Sequence, residues 1–470
     1  MRIVLINPGD PDRRILGAYD RASEAFAPHG LAYLAAVLRA DGHDIAAIDQ
    51  FAARHTTAQL VDSIVREKPD FIGFSCLSPD YPALKKTTAA LRSAGVTAPI
   101  VAGNLHATLF HEQIIAEQVA DYVVRGEAEL PIVELARSLA AGNTEPDIPG
   151  VSYAGHLAAE LATPPDLDNL PFPAWDLFPL HLYLNPPLFR FQKTMLAVQT
   201  SRGCPYNCYF CCQNAMVPHV RRRQVEGVVD EIEANLDQHG VDFFWFSDAI
   251  FPLSKQYGHE IADEMIRRNL HRRVQWVTEC RVDSADLELL RHLREAGLLM
   301  IIFGFEVGNQ DVLDRIKPGA TLAAARQVMK ATRQVGIQSL GLYMIGLPGE
   351  TEQSIRQTID LAISLDTDFA KFNRAIPYPG SCFYTEMHDR LHNPDDYALY
   401  NPWLNAPDIE PLYVPENLTH RRLVRLQNLA MRRFYLRPRK ILRLLLSRRV
   451  RMEHAWRGLR ALLEGLRGRR

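Results

Sequence analysis

The sequence predicts an α/β chain of two domains. Three observations lead there: two successive runs in which short apolar stretches alternate with amphipathic ones, a proline-rich break between the runs, and a length of 470 residues, too great for one ordinary domain. In residues 1–145 the strand-like stretches are 2–6, 44–48, 71–74, 100–102 and 122–124, and helical stretches lie at 30–40, 57–67, 83–93, 111–117 and 131–140. Alternation at this spacing predicts a doubly wound, Rossmann-like parallel sheet with any ligand at the carboxyl ends of its strands. No Gly-x-Gly-x-x-Gly follows the first strand, which disfavours a dinucleotide. Residues 146–193 carry Pro164-Pro165, Pro171, Pro173, Pro179 and Pro186-Pro187 and read as a crossing linker. From 194 to 385 a second series places strands at 195–199, 243–246, 274–278, 300–305, 339–345 and 369–376, with helices at 225–239, 255–268, 284–296, 321–335 and 351–365. Six such units make a partial (β/α)6 TIM-like barrel, in which site residues collect at the carboxyl ends of strands. Asp248, Arg281 and Glu306 fall at such ends and are site candidates. Residues 386–470 read as a helical, basic region.

The segment Ser201-Arg-Gly-Cys-Pro-Tyr-Asn-Cys-Tyr-Phe-Cys211 follows the first strand of the second domain and spaces its cysteines Cys-x-x-x-Cys-x-x-Cys. Three thiolates on one short loop can hold three irons of a cubane and leave the fourth iron open. A zinc site would want a second Cys or His pair at matched spacing, and none follows nearby. Cys212, directly adjacent, reads as a small buried hydrophobe.

Charge and composition narrow the rest. Seven cysteines without a disulfide framework fit a reducing cytosol, so a cytoplasmic protein is expected. The amino-terminal apolar run is too brief for a signal peptide, and no stretch of about eighteen apolar residues could span a membrane. Residues 421–470 hold 17 Lys and Arg against Glu453 and Glu464, while residues 1–420 hold 36 bases and 53 acids. The tail interleaves Leu436, Ile441, Leu442 and Leu444 with Arg437, Arg439, Lys440 and Arg443. Three uses of it stay open: docking on the acidic body of its own protein, peripheral contact with the inner face of an anionic membrane, or a nucleic-acid patch. No RNA-binding motif accompanies it, and no nucleic-acid partner is expected.

Cys204, Cys208 and Cys211, with aromatic Phe210 before the last of them, resemble the cluster loop of radical S-adenosylmethionine (SAM) enzymes. That resemblance implies that the three cysteines ligate a 4Fe-4S cluster and that SAM chelates the open iron and is cleaved to a 5′-deoxyadenosyl radical. It also implies that Phe210 lies near the adenine and that Arg281 and Glu306 contact SAM; Asp248 is grouped with them as a SAM-binding candidate. Gly341 to Glu350 resembles the family's fifth-strand motif, with Glu350 expected to open the helix that starts at Thr351. The first domain resembles the cobalamin-binding domain that precedes the barrel in one large subgroup. The match rests on Asn7-Pro8, Ser75-Cys76-Leu77, Gly103 to Thr108 and Arg125-Gly-Glu-Ala-Glu129. It implies that Ser75, Leu77 and Gly103 line the cofactor cleft, with Asn104 where the family has a second glycine. In place of the cobalt-ligating Asp-x-His-x-x-Gly the chain reads Asp12-Arg-Arg14-Ile-Leu-Gly17, and a guanidinium has no lone pair for cobalt. His29 and His106 are then formal lower-face candidates, though packing or capping is the commoner role. The resemblance covers residues 1 to about 385. It implies a cobalamin-dependent enzyme that methylates an unactivated carbon of a small-molecule or lipid-like substrate, with a reductant such as flavodoxin or ferredoxin as partner. The alternatives are an oxidative cyclase of the magnesium-protoporphyrin type and a cofactor-binding protein without turnover.

Overall fold

The computed structural model describes residues 1–9, 25–186, 188–189, 191–401 and 409–446. The amino-terminal strands are β1 (Arg2–Asn7), β2 (Asp44–Asp49), β3 (Phe71–Ser75), β4 (Ile100–Gly103), β5 (Tyr122–Val124) and β6 (Val151–Tyr153). They form one sheet in the order β2-β1-β3-β4-β5-β6, parallel from β2 to β5 and antiparallel between β5 and β6. Val4, Ile6, Ile72 and Phe74 are buried on one face of this sheet and Ile3, Leu5, Phe71 and Val101 on the other, as helices on both faces require. The strand order reverses between β1 and β3, which run parallel, and in sheets of this kind the ligand crevice lies beyond the carboxyl ends of the strands at such a switch point.

β6 lies inside the stretch read as linker. Elsewhere in that stretch Trp175 and Tyr183 are buried, and the Tyr183 hydroxyl donates to Asp49 of the first domain at 2.9 Å.

The second domain begins with β7 (Leu196–Val198) and a two-stranded ribbon, β8 (Ser201–Arg202) and β9 (Arg221–Arg222), between which the cysteine loop hangs. There follow β10 (Phe243–Phe246), β11 (Gln275–Cys280), β12 (Leu298–Glu306), β13 (Gln338–Ile345) and β14 (Phe369–Arg374). The sheet runs β7-β10-β11-β12-β13-β14, all parallel, and among the described residues β14 and β7 do not pair, so the barrel is open. Side chains that alternate outward, such as Phe244, Trp276, Phe303 and Tyr343, join the helices in the main core. Inward ones, Phe243, Val277, Met300 and Phe369, form a separate apolar floor closed from below by Phe189 and Phe191 of the linker.

An open barrel leaves β14 as an edge, and the carboxyl-terminal region covers it. The helix His420–Tyr435 buries Leu423, Leu426, Ala430 and Phe434. Its Tyr435 hydroxyl accepts from the Ala370 N–H at 2.9 Å and donates to the Ala370 carbonyl at 2.8 Å, and Gln427 donates to the Phe372 carbonyl at 2.8 Å. Several of the basic residues pair with acids of the same body. Arg422 pairs with Glu352, Arg433 with Asp360 at 2.9 Å, and Arg437 and Arg443 with Asp366 at 2.8 and 2.7 Å. The described part of the tail thus docks on its own acidic barrel; residues 447–470, which carry the rest of its charge, lie outside the described residues. Among the described residues no helix is long and apolar enough to cross a membrane.

Candidate functional site

The cysteine loop is held from several directions. Its entrance is Gly203, at φ +84°, where an added Cβ would stand 2.4 Å from the His219 carbonyl oxygen. Within it the Cys211 N–H donates to the Cys208 carbonyl at 3.0 Å, and Asn214 donates to the Tyr206 carbonyl at 3.2 Å. Tyr209 ties the loop to the barrel, donating to the Ile316 carbonyl and accepting from the Phe383 N–H, each at 2.9 Å. Phe210 is half-buried against the main core.

All seven cysteines are free thiols. Cys211 lies within electrostatic reach of both Cys204 and Cys208. Burial pushes the Cys208 thiol up to about 11, while Lys317 and Arg281 pull it back down. A cluster draws on that cationic surround, because its ligands are thiolates. Cys212 is half-buried with its thiol pushed up to about 12 by burial, as suits an inert packing group. Among the described residues no three His, Cys, Asp or Glu side chains converge on a point that one metal ion could fill. A cubane asks for a different arrangement, one thiolate to each iron.

Arg281 follows β11 and lies over the Tyr206 ring at 3.9 Å, with Nη1 also 3.9 Å from Cys208 Sγ. Its other nitrogens donate to Asp283 at 2.9 Å and to the Pro318 carbonyl at 2.6 Å, so the guanidinium braces the loop. Glu306 ends β12 at φ +61°, where the register with β13 slips between Gly304 and Glu306. The slip turns its carboxylate back over Gly304, at which a Cβ would stand 2.2 Å from Oε1. Lys317 Nζ donates to Glu306 Oε1 at 2.8 Å and to the Gly304 carbonyl at 2.7 Å. Lys317 escaped the sequence reading because it sits in an irregular Lys-Pro-Gly turn after a helix, with no periodicity to aim it.

Asp248 stands apart from this group. It is buried, and its carboxylate accepts from the Thr200 N–H at 2.9 Å, the Ser201 N–H, the Ser201 hydroxyl at 2.9 Å and the Thr200 hydroxyl at 3.1 Å. Its geometry is that of a clamp on the turn between β7 and β8. Burial pushes its pKa from 3.8 up to about 7. An acid whose folded pKa is raised costs stability as pH climbs from about 4 through about 7. Asp248→Asn, which can keep the two backbone amides on Oδ1, is expected to flatten that slope with SAM cleavage intact. Asp248→Ala strands both amides and should cost on the order of 2–4 kcal/mol; denaturant midpoints for the two variants at pH 5 and pH 7.5 check this.

Glu350 also differs from expectation. It accepts from the Gly346 and Leu347 N–H groups at 2.7 and 2.9 Å, closing the turn after β13, while Thr351 caps the following helix through Ser354.

Above the apolar floor, the lumen of the barrel is polar. Glu279 of β11 has its pKa raised, by burial first and then by Glu306, and burial pushes Lys371 of β14 down to about 8 with Glu279 opposing. Trp245 Nε1 and Asn373 Oδ1 are buried there without a hydrogen-bond partner. Phe26, from the first domain and 42% exposed, meets the Trp245 ring at 5.4 Å. Polar atoms left unpaired beside a part-exposed aromatic pair are what a ligand would satisfy.

In the first domain the crevice beyond β1 and β3 is rimmed by Ser75, Leu77, Gly103 and Asn104. Asn104 Nδ2 donates to Ser75 Oγ at 3.0 Å, and its Oδ1 accepts from the Leu105 N–H at 2.7 Å. Its backbone, φ 82° and ψ −175°, lies in territory that only glycine occupies freely, rather than in the left-handed helical region expected for asparagine; such a residue stores about 1–3 kcal/mol. A Cβ on Gly103 would meet only the Val124 carbonyl oxygen at 3.8 Å, and Leu77 is 42% exposed, so the rim can admit a bulky, partly apolar group. The two histidines pack elsewhere. His106 is fully buried among Tyr81, Phe110 and Tyr397 and bonded to Ser78 Oγ at 3.2 Å, and His29 stacks on Trp175. Arg14 lies outside the described residues.

Comparison with known proteins gives two family models in tandem: the B12 binding domain over residues 21–136 and the Radical SAM superfamily over residues 198–362. The chain is a radical SAM enzyme with an amino-terminal B12-binding domain. It is 28% identical to the uncharacterized methyltransferase PH0819 of Pyrococcus horikoshii, over 94% of each chain. It is also 28% identical to the anaerobic magnesium-protoporphyrin IX monomethyl ester cyclase of Cereibacter sphaeroides, over 93% of this chain and 71% of that one. Its fold matches the radical SAM methyltransferase TsrM of Kitasatospora setae, solved with cobalamin and a [4Fe-4S] cluster, with a TM-score of 0.71 at 17% identity over 93% and 89% of the two chains.

The cofactors of this radical SAM enzyme are SAM, a [4Fe-4S] cluster and cobalamin. The residues present fit them: three free thiols beside a cationic brace for the cluster, and a rim for cobalamin at which Gly103 leaves room and Leu77 is exposed. The two places adjoin. The helix Leu105–Leu109, which opens at Asn104, packs against the helix Gln213–Met216 that follows the cysteine loop.

Proposed function

We propose that this radical SAM enzyme methylates an unactivated carbon of a small-molecule or lipid-like substrate, in a cavity shared by its two domains. The observation that carries this reading is the packing of the crevice rim, through Leu105–Leu109, on the helix that leaves the cysteine loop. Cobalamin supplies a transferable methyl group, and SAM at the cluster supplies the hydrogen-abstracting radical. The chain's own residues do the rest. Cys204, Cys208 and Cys211 fix the cluster, Arg281 and Lys317 offset the charge beside it, and Glu306 is held by Lys317 where a SAM amino group or ribose could meet it. Trp245, Phe26, Asn373 and Lys371 face the space left for substrate, and the floor built on Phe243 and Met300 keeps water from entering below. A small reductant protein such as flavodoxin or ferredoxin is the partner this chemistry requires.

Likeness to the Cereibacter sphaeroides cyclase supports a second reading, radical oxidation without methyl transfer. Anaerobic reconstitution with iron, sulfide and hydroxocobalamin, followed by incubation with SAM and dithionite, separates the two. The methyltransferase reading expects retained cobalamin, 5′-deoxyadenosine and S-adenosylhomocysteine. Formation of 5′-deoxyadenosine with no S-adenosylhomocysteine would remove methyl transfer and favour the oxidative reading.

A further inference from the structure

We propose that Glu127 is a positioning residue for the cluster loop: it neutralises two arginines that face each other across the ribbon carrying that loop, so the loop keeps its shape only while the B12-binding domain is docked. The ribbon consists of two residue pairs, Ser201 with Arg222 and Arg202 with Arg221. Two strands this short are not stable alone, and like charges placed directly opposite drive them apart.

Glu127, from the first domain, lies between the two guanidiniums. Its Oε2 accepts from Arg202 Nη1 at 2.7 Å and its Oε1 from Arg221 Nη2. Glu129 adds a second carboxylate to Arg202 at 2.7 Å. The side chains of Glu127 and Glu129 are each 6% exposed and that of Arg202 10%, so solvent screens this cluster poorly. Arg221 reaches on to the Pro165 carbonyl at 2.7 Å, which brings linker, ribbon and first domain to one point.

Little slack separates this point from the cofactors. Gly203, where an added Cβ would run into the His219 carbonyl, is the single residue between Arg202 and Cys204. In the other direction Asn104 of the crevice accepts at its carbonyl from the Thr108 hydroxyl at 2.9 Å, and that hydroxyl accepts from the Gly126 N–H at 3.0 Å, next to Glu127. The Arg125-Gly-Glu-Ala-Glu129 segment thereby ties the first domain to the ribbon that carries the cluster loop.

The test is amide hydrogen exchange on the reconstituted holoenzyme, read over residues 200–212. Glu127→Gln keeps the size and a hydrogen-bonding oxygen but loses the charge, and exchange in this window is expected to rise at least about tenfold. Adding Arg221→Met removes the opposing charge and should return exchange to within about twofold of the parent, an outcome that a merely structural role would not produce. Unchanged exchange in E127Q, or a double variant no better than E127Q, overturns the proposal. Should E127Q not fold, E127Q/R221M is compared with R221M alone; matching exchange supports the proposal and failure of the double variant to fold rejects it. The readout needs neither SAM cleavage nor methyl transfer, so its failure leaves the proposed reaction standing.

Discussion

Cys208→Ala is expected to abolish SAM cleavage completely, with iron after reconstitution falling well below about four per chain and hydroxocobalamin uptake unchanged. Cys208 is one of the three proposed ligands and lies beside the cationic brace, with Arg281 Nη1 at 3.9 Å from its sulfur, so on that proposal its loss removes one of three anchors. The comparison that gives the result meaning is Cys212→Ala. That thiol is one residue from Cys211, half-buried and strongly disposed to stay protonated, so its loss should leave iron content and 5′-deoxyadenosine yield at parent levels. A Cys212→Ala enzyme with half its iron would mean the loop uses a different trio.

Glu231→Ala should produce the largest loss of stability, about 3–5 kcal/mol. Glu231 is fully buried and pairs with Arg223, 5% exposed, which also donates to the Gln199 and Gly227 carbonyls at 3.0 Å and to the Tyr33 hydroxyl at 3.5 Å. Tyr33 of the first domain donates to the same carboxylate at 3.3 Å. Removing the acid leaves a guanidinium enclosed without a counter-charge, whereas removing both partners does not. The double variant Glu231→Leu with Arg223→Met is therefore expected to recover most of the loss, and urea midpoints of the single and double variants decide it. A double variant as unstable as the single one would show that the pair's value lies in its hydrogen bonds to Gln199 and Gly227.

The fold was legible where periodicity is strong. Apolar runs such as Ile3–Ile6 and Met300–Phe303, each followed by an amphipathic helix, can hardly be read otherwise. β6 was missed because three residues in a proline-rich stretch carry no period, and only pairing with β5 makes them a strand. The cysteine loop is visible as spacing alone. Asp248 shows the limit of reasoning from strand ends: its position invites a ligand, yet its hydrogen bonds go to its own neighbours at Thr200 and Ser201. Glu350 repeats the lesson at the turn after β13. Lys317, and the meeting of Glu127 with Arg202 across 75 residues, depend on tertiary placement that no local signal encodes.

The clasp that Tyr435 and Gln427 place on β14 sets a timetable for synthesis. Domains emerge and fold from the amino terminus, so the crevice of the first domain can form while the barrel is still being made. The sixth strand then waits for a hydroxyl 65 positions downstream before its outer edge is covered. Until that helix arrives the nascent chain shows a bare strand beside an unfilled cysteine loop, and a bare strand is a template for the wrong neighbour. Cluster insertion into a finished barrel is thereby deferred until that helix has been made, and slowing translation between Ala370 and Tyr435 would be felt first as aggregation, before any loss of chemistry.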